Sequence, residues 1–369
     1  MSCQTSVSRS RPRESGTPLL TLTPEICWLK LFSSKAKVLY LASGKIKTEE
    51  KSVMKESFLR THLLPQIAFF AMGMPRNGSI SVDITSRCNL RCKHCYYFNF
   101  NNEEVTTELS DIEWQEKLIK LKKRSLFSHS CTFVGGEPLI RKELVRKLTR
   151  YFRYNLVVTN GSIALPYWKD VFFHVSVDGT EEVHDEMRSQ KGLYQRIKKN
   201  ICENARDMHI TIVTCLTNEN KHCIEELVQD WLNETPAQGF IFDFYTPSIN
   251  DDKDRFVIPH AERDKIIDQM VELRKKYGNF IRIPADVYDL MRSGNYRKVV
   301  KNCIFRRRCA AFDSMGNKKP KCVLGGSANC DLCGCIVPYC LHFRLNKKFI
   351  VNDVKKSLKT LLQGSTLMS

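Results

Sequence analysis

From Ser79 the chain alternates polar and apolar positions, Ser79-Ile80-Ser81-Val82-Asp83-Ile84-Thr85, and this period of two predicts a β-strand with one face on a core. Short apolar runs that read as strands recur at 130–134, 156–159, 173–177, 210–216 and 240–245. Between them lie segments expected to be helical, at 111–126, 141–152, 194–208, 222–233 and 261–277. In the last of these, Ile266-Ile267, Met270-Val271 and Leu273 fall on one helical face. Strand and helix alternate through what reads as six βα units, a pattern that predicts a parallel sheet. Six units suit a partial barrel better than the eight of a closed TIM barrel. The expected fold class is α/β, a partial (β/α)6 TIM-like barrel over residues 75–290 with a small cysteine-rich C-terminal extension at 296–345.

The flanks read differently. Residues 1–74 form an N-terminal extension, rich in Ser, Arg and Pro at its start and helical in character from about residue 35. Val53-Met54, Phe58-Leu59 and Leu63-Leu64 share one face there, the mark of a helix packed on its own domain. The basic residues Lys45, Lys47, Lys51, Lys55 and Arg60 also allow peripheral contact with a membrane surface. Residues 346–369 read as an amphipathic helical tail. No apolar run is long enough to span a bilayer.

Composition adds two facts. The 369 residues carry a formal charge of +18, which would suit nucleic acid, an anionic lipid surface or an acidic substrate. The basic residues are scattered, without one dense patch interleaved with aromatics, so a solvated basic surface explains much of the charge. Of the 16 cysteines, three cluster at 88–95 and seven at 303–340, which favours metal ligation in a reducing, cytoplasmic setting over a disulfide scaffold.

The first cluster, Cys88-Asn89-Leu90-Arg91-Cys92-Lys93-His94-Cys95-Tyr96, follows the first strand directly. Three thiolates on one short loop can converge on a four-iron cluster and leave one iron open to a small molecule. Zinc is the rival, although a structural zinc wants four closed ligands. His94 could supply the fourth only with difficulty, being adjacent to Cys95. Glycine-bearing motifs follow the next strands: Gly135-Gly136-Glu137-Pro138, Thr159-Asn160-Gly161 and Ser176-Val177-Asp178-Gly179. In such barrels the chemistry sits at the carboxyl ends of the strands.

This constellation resembles the radical S-adenosylmethionine (SAM) superfamily, whose signature is CxxxCxxC; His94 stands where the family usually has an aromatic residue. The resemblance implies a [4Fe-4S] cluster on Cys88, Cys92 and Cys95 that binds S-adenosylmethionine. It also implies an amino-group clamp at Gly135, Gly136 and Glu137. The stretch from Ser176 to Arg188 resembles the SxDG…HDxxR pattern of peptide- and protein-modifying members. That pattern implies that Ser176 and Arg188 hold the carboxylate of S-adenosylmethionine. Ser189 stands where the family has glycine. The implied activity is reductive cleavage to a 5′-deoxyadenosyl radical that takes hydrogen from a peptide, protein, lipid or cofactor-precursor substrate. The implied partner is a low-potential electron donor such as ferredoxin or flavodoxin. A contrasting reading is a non-catalytic iron–sulfur or zinc protein that binds nucleic acid through its charge. The intact Glu137, Ser176 and Arg188 argue against it, because binding nucleic acid needs none of them.

The second cluster comprises Cys303, Cys309, Cys322, Cys330, Cys333, Cys335 and Cys340. Cys330 and Cys333 form a CxxC, and 309–322 reads as a β-hairpin turning at Met315-Gly316-Asn317 that brings Cys309 and Cys322 together. This resembles, loosely, the auxiliary-cluster extensions called SPASM and twitch domains. One auxiliary [4Fe-4S] cluster on Cys309, Cys322, Cys330 and Cys333 is expected, with Cys340 as alternate; a zinc knuckle and redox thiols are the other readings.

Overall fold

A computed structural model describes residues 79–100, 107–124, 130–204, 207–249 and 255–344. The expected N-terminal extension and helical tail lie outside the described residues. Seven strands form one sheet: β1 Ser79–Thr85, β2 Ser130–Gly135, β3 Tyr154–Thr159, β4 Phe172–Ser176, β5 His209–Leu216, β6 Phe240–Phe244 and β7 Cys309–Phe312. Their order is β6-β5-β4-β3-β2-β1-β7, and each neighbouring pair is parallel. The helices are α1 Tyr96–Phe100, α2 Asp111–Arg124, α3 Lys142–Thr149, α4 Glu181–Met187, α5 Leu193–Asn204, α6 Ile224–Glu234 and α7 His260–Tyr277. After them come α8 Ala285–Asp289, α9 Tyr296–Lys301, α10 Ile304–Arg308 and α11 Val337–Arg344.

Side-chain alternation decides which face each strand gives to the helices. Ile80, Val82 and Ile84 of β1, with Ile210, Ile212 and Leu216 of β5, enter the main core. They meet Trp114 and Leu118 of α2, Leu144, Val145 and Leu148 of α3, and Leu227, Val228 and Trp231 of α6. The helical residues are three or four apart, so each helix buries one stripe. Thr211, Val213 and Cys215 alternate with the buried row of β5 and stay half-buried on the other face. Cys215 pairs with Asp243 of β6, so polar groups line the inner face near the carboxyl ends.

Two features depart from the sequence expectation. The connection from β3 to β4 contains no helix, and the sequence pattern predicts none there, so the third of the six units counted is a strand followed by a bare loop. Pro166 lacks the N–H a helix interior needs, and buried Leu165 and Trp168 pack on the core there; the Trp168 ring lies 6.1 Å from that of Phe173. The second departure is β7. The segment expected as the first arm of a hairpin pairs in parallel with β1, Ser79 opposite Cys309 and Val82 opposite Phe312. The expected turn is present, because Asp313 Oδ1 accepts from Met315 N at 3.1 Å and Asn317 N at 2.7 Å. The returning arm is reduced to the bridge between Phe312 and Lys318 and two bonds, from Asp313 N to Asn317 O at 2.9 Å and from Lys319 N to Ala311 O at 2.8 Å. The cysteine-rich segment therefore extends the barrel sheet at its β1 edge.

That junction is sealed by charge. Lys319 forms a buried ion pair with Asp83 of β1 and donates to Val323 O at 2.7 Å. Its ammonium also lies 5.9 and 5.8 Å from the rings of Tyr96 and Tyr97. Burial pushes the Asp83 carboxyl up to about 6 against the pull of Lys319. No helix among the described residues is long and apolar enough to cross a membrane.

Candidate active site at the strand ends

Cys88, Cys92 and Cys95 are half-buried on the loop between β1 and α1. The loop is held from several sides. Lys93 N donates to Met187 O at 2.9 Å and Cys95 N to Cys92 O at 3.2 Å. Donors also point at sulfur: Leu90 N lies 3.4 Å from Cys88 Sγ, Asn160 Nδ2 lies 3.7 Å from the same atom, and Arg188 Nη1 lies 3.9 Å from Cys92 Sγ. Burial raises Cys88 and pushes the Cys92 thiol up to about 11, with Arg188 pulling the latter back. Metal must therefore displace protons here, while the donors favour sulfur that carries negative charge. Three thiols with N–H groups aimed at two of them fit an iron–sulfur cluster. Among the described residues no three Cys, His, Asp or Glu side chains could together hold a single metal ion, whereas a cubane takes its thiolates one per iron.

The Gly-Gly-Glu-Pro stretch at the end of β2 supports this loop. Gly136 N donates to Thr85 O at 2.8 Å and Glu137 N to Arg87 O at 2.9 Å. Gly135 has φ +119°, and a Cβ on Gly136 would stand 2.1 Å from Arg87 O. The glycines thus let β2 touch the backbone that leads into Cys88. Gly136→Ala should push the two segments apart at a cost of about 1–3 kcal/mol and lower the iron retained after reconstitution. Thermal melting and iron analysis check this; wild-type values in both would mean the loop is seated by other contacts.

Glu137 is 0 % exposed. Its Oε1 accepts from Leu139 N at 2.9 Å and Thr159 Oγ1 at 2.8 Å, and its Oε2 from Asn160 N at 2.7 Å. Burial raises its carboxyl, and these donors oppose the rise. The side chain implied as a cofactor clamp is thus already engaged by protein. Asn160, which it seats, donates to Asn89 Oδ1 at 3.1 Å as well as facing Cys88.

Asp178 binds the remaining side of the loop and is 0 % exposed. Its Oδ2 accepts from Arg188 Nε at 2.8 Å and pairs with Arg188 Nη2 at 2.6 Å and His94 Nε2 at 3.1 Å. Its Oδ1 accepts from Cys215 N at 3.0 Å. Burial alone would raise this carboxyl, but Arg188 and His94 overcome it and hold the group well below the usual range. Histidine in the family's aromatic position therefore ties the cysteine loop to Asp178. Arg188 is bidentate to Asp178 and turns its third nitrogen to Cys92. Ser189 adopts φ 54°, the left-handed region where the family's glycine carries no penalty. Ser176 ends β4, half-buried on the inner face.

In the C-terminal region the thiols sort into groups. Cys333 lies within electrostatic reach of Cys322, Cys303 and Cys330, and burial pushes it up to about 12. Cys322 likewise feels Cys330 and Cys303. Cys330 and Cys333 sit on one turn, with Cys333 N donating to Cys330 O at 3.2 Å. Of the four expected ligands, Cys322, Cys330 and Cys333 lie within electrostatic reach of one another, as does Cys303. Cys309 lies within β7, in an apolar cluster with Phe305 and Leu341 against which Cys303 and Cys322 also pack, and Cys340 is buried in α11. Cys335 is near Asp243 and Cys333, and Asp243 Oδ1 accepts from Ile336 N at 2.5 Å. Sequence reasoning missed Cys303, Asn160 and Asp178; the last two stand inside motifs it had singled out.

A parallel partial barrel with three thiols after its first strand, seated by a buried Arg–Asp–His group, defines a class of cluster-binding α/β proteins. Residues 82–230 match the family model of the radical SAM superfamily, so this part of the chain carries a radical SAM domain. The chain is 28 % identical over 167 residues to a cysteine-type anaerobic sulfatase-maturating enzyme of Clostridium novyi, covering 39 % of this chain and 44 % of that one. It is 27 % identical over 223 residues to the sporulation killing factor maturation protein SkfB of Bacillus subtilis, covering 56 % and 52 %. The matches thus span about half the length of these relatives. Native anSMEcpe with bound AdoMet shares the fold at a TM-score of 0.52 and 14 % identity, covering 75 % of this chain and 99 % of that one. Streptococcus suis SuiB bound to precursor peptide SuiA gives 0.50 at 12 %, covering 85 % and 75 %.

Proposed function

We propose that this chain is a radical SAM enzyme that reductively cleaves S-adenosylmethionine and takes hydrogen from a peptide, protein segment or cofactor precursor. The observation that carries the reading is the thiol loop at the end of β1, with Arg188 and Asn160 directed at the sulfurs of Cys92 and Cys88. Cys88, Cys92 and Cys95 would hold the [4Fe-4S] cluster. Bound together, cluster and S-adenosylmethionine supply a 5′-deoxyadenosyl radical on one-electron reduction. The chain's own groups do the rest. Asp178 fixes Arg188 and His94, Glu137 fixes Asn160, and the Gly135-Gly136 backbone fixes the loop's entry.

The polar inner face at Ser176, Cys215 and Asp243 would receive the substrate. Relatives named as a sulfatase-maturating enzyme and a sporulation killing factor maturation protein support a polypeptide substrate, and the charge of +18 would favour an acidic one. We further propose one auxiliary cluster on the C-terminal thiols, with Cys303 in place of Cys309 beside Cys322, Cys330 and Cys333. A low-potential donor such as ferredoxin or flavodoxin, in the reducing cytoplasm, completes the scheme. Anaerobically reconstituted protein should convert S-adenosylmethionine to 5′-deoxyadenosine under strong reductant. Cluster-replete protein that forms none, with candidate acidic peptides present, would sink the reading.

A further inference from the structure

Arg263 of α7 is 1 % exposed, yet it pairs with no carboxylate among the described residues. Its guanidinium spends its donors on carbonyl oxygens alone. Nε donates to Ile258 at 2.9 Å, Nη1 to Cys333 at 3.2 Å, and Nη2 to Leu332 at 3.1 Å and Tyr245 at 3.3 Å. The ring of Phe244 lies 5.1 Å from its Cζ. An arginine keeps its proton inside proteins, and a buried charge left without a counter-charge is costly. Carbonyl dipoles satisfy the N–H groups but do not cancel the charge.

The groups that could cancel it are thiols. Cys333 is held directly through its carbonyl, 3.2 Å from Arg263 Nη1. Cys333 in turn neighbours Cys303, Cys322 and Cys330. As thiols these four are neutral and the cation stands uncompensated. As thiolates on an oxidised four-iron core they outweigh its positive charge, and the assembly is anionic. We propose that Arg263 is the positioning residue and counter-charge of a thiolate metal centre formed by Cys303, Cys322, Cys330 and Cys333. Two of its bonds hold the carbonyls of the Cys330–Cys333 turn, and a third holds Tyr245, the residue after β6. One side chain thus fixes the centre to the mouth of the barrel and biases its charge. This rests on the auxiliary cluster proposed above. A fixed cation favours the reduced, more negative state of a cluster, so losing it lowers the reduction potential.

The test is a potentiometric titration of the reconstituted full-length protein, followed by electron paramagnetic resonance. Added S-adenosylmethionine marks the cluster it binds, so the signal it does not move belongs to the auxiliary centre. Arg263→Met should shift that signal's one-electron equilibrium at least tenfold toward the oxidised form, about 59 mV. Arg263→Lys keeps the charge without the fork and should move it less. If the methionine variant fails to load the C-terminal site while the lysine variant loads it, the counter-charge role also stands. Coincident potentials for wild type and Arg263→Met would overturn it, as would equal shifts in the two variants. So would loss of the C-terminal iron from both variants when circular dichroism shows them folded. Wild-type protein with iron only in the barrel would instead defeat the auxiliary-cluster reading itself.

Discussion

Replacing Cys88, Cys92 and Cys95 together by alanine is expected to abolish S-adenosylmethionine cleavage, with 5′-deoxyadenosine falling to background, while the fold survives. The three thiols are half-buried on a loop; Cys88 and Cys92 only border the main core, whose buried residues on β1 are Ile80, Val82 and Ile84. Their loss removes ligands without opening a cavity in that core, so melting should move little. The C-terminal thiols stand on β7's continuation and the turn at Cys330–Leu332, apart from the loop, and should keep their own metal. About four irons and four sulfides left in the variant would match one cubane on thiolates. One zinc without sulfide would make the region a structural knuckle. Retention of neither would show that these cysteines form no metal centre.

The barrel strands were legible because their signal is local. Alternation at Ser79–Thr85 and His209–Leu216 marks period two whatever lies around it. The direction in which Cys309–Phe312 pairs was not legible. Cys-Ala-Ala-Phe is short and apolar, and only tertiary contact with β1 decides that it runs parallel. The bare connection between β3 and β4 has a local reason in Pro166, and the pattern predicts no helix there, although the count of six units passes over it. Arg263 gives no warning at all. It stands among Glu262, Asp264 and Lys265 and reads as one more solvent-facing charge. Its burial follows from where the Cys330–Cys333 turn docks. Cys303 was hidden by a better-looking pattern, since the turn at Gly316 suggested a hairpin whose first arm begins at Cys309. The turn is real, but β7 carries Cys309 into an apolar cluster against which Cys303, ahead of α10, packs together with Cys322. At Ser189 the sequence shows only a missing glycine; the backbone shows that the left-handed turn is kept regardless.

Glu137→Ala is the substitution that separates a cofactor ligand from a structural pin. The resemblance alone would have it weaken S-adenosylmethionine binding and leave everything else intact. The geometry leads elsewhere, because the carboxylate accepts three protein hydrogen bonds at 2.7–2.9 Å with none of its surface exposed. Alanine strands Leu139 N, Thr159 Oγ1 and Asn160 N in a buried space, each at about 1–3 kcal/mol if no water reaches it. With partial relaxation the sum should be about 3–5 kcal/mol, a fall in melting temperature of roughly 6–20 °C for a domain of this size. Asn160 then loses its anchor, and with it the N–H directed at Cys88, so iron retention should fall as well. Glu137→Gln should do less harm. Its oxygen can still accept from Leu139 and Thr159, but its amide then faces Asn160 N donor to donor, and amide exchange at Asn160 should accelerate. An unchanged melting temperature and iron content in the alanine variant, with weakened S-adenosylmethionine binding only, would return Glu137 to the cofactor.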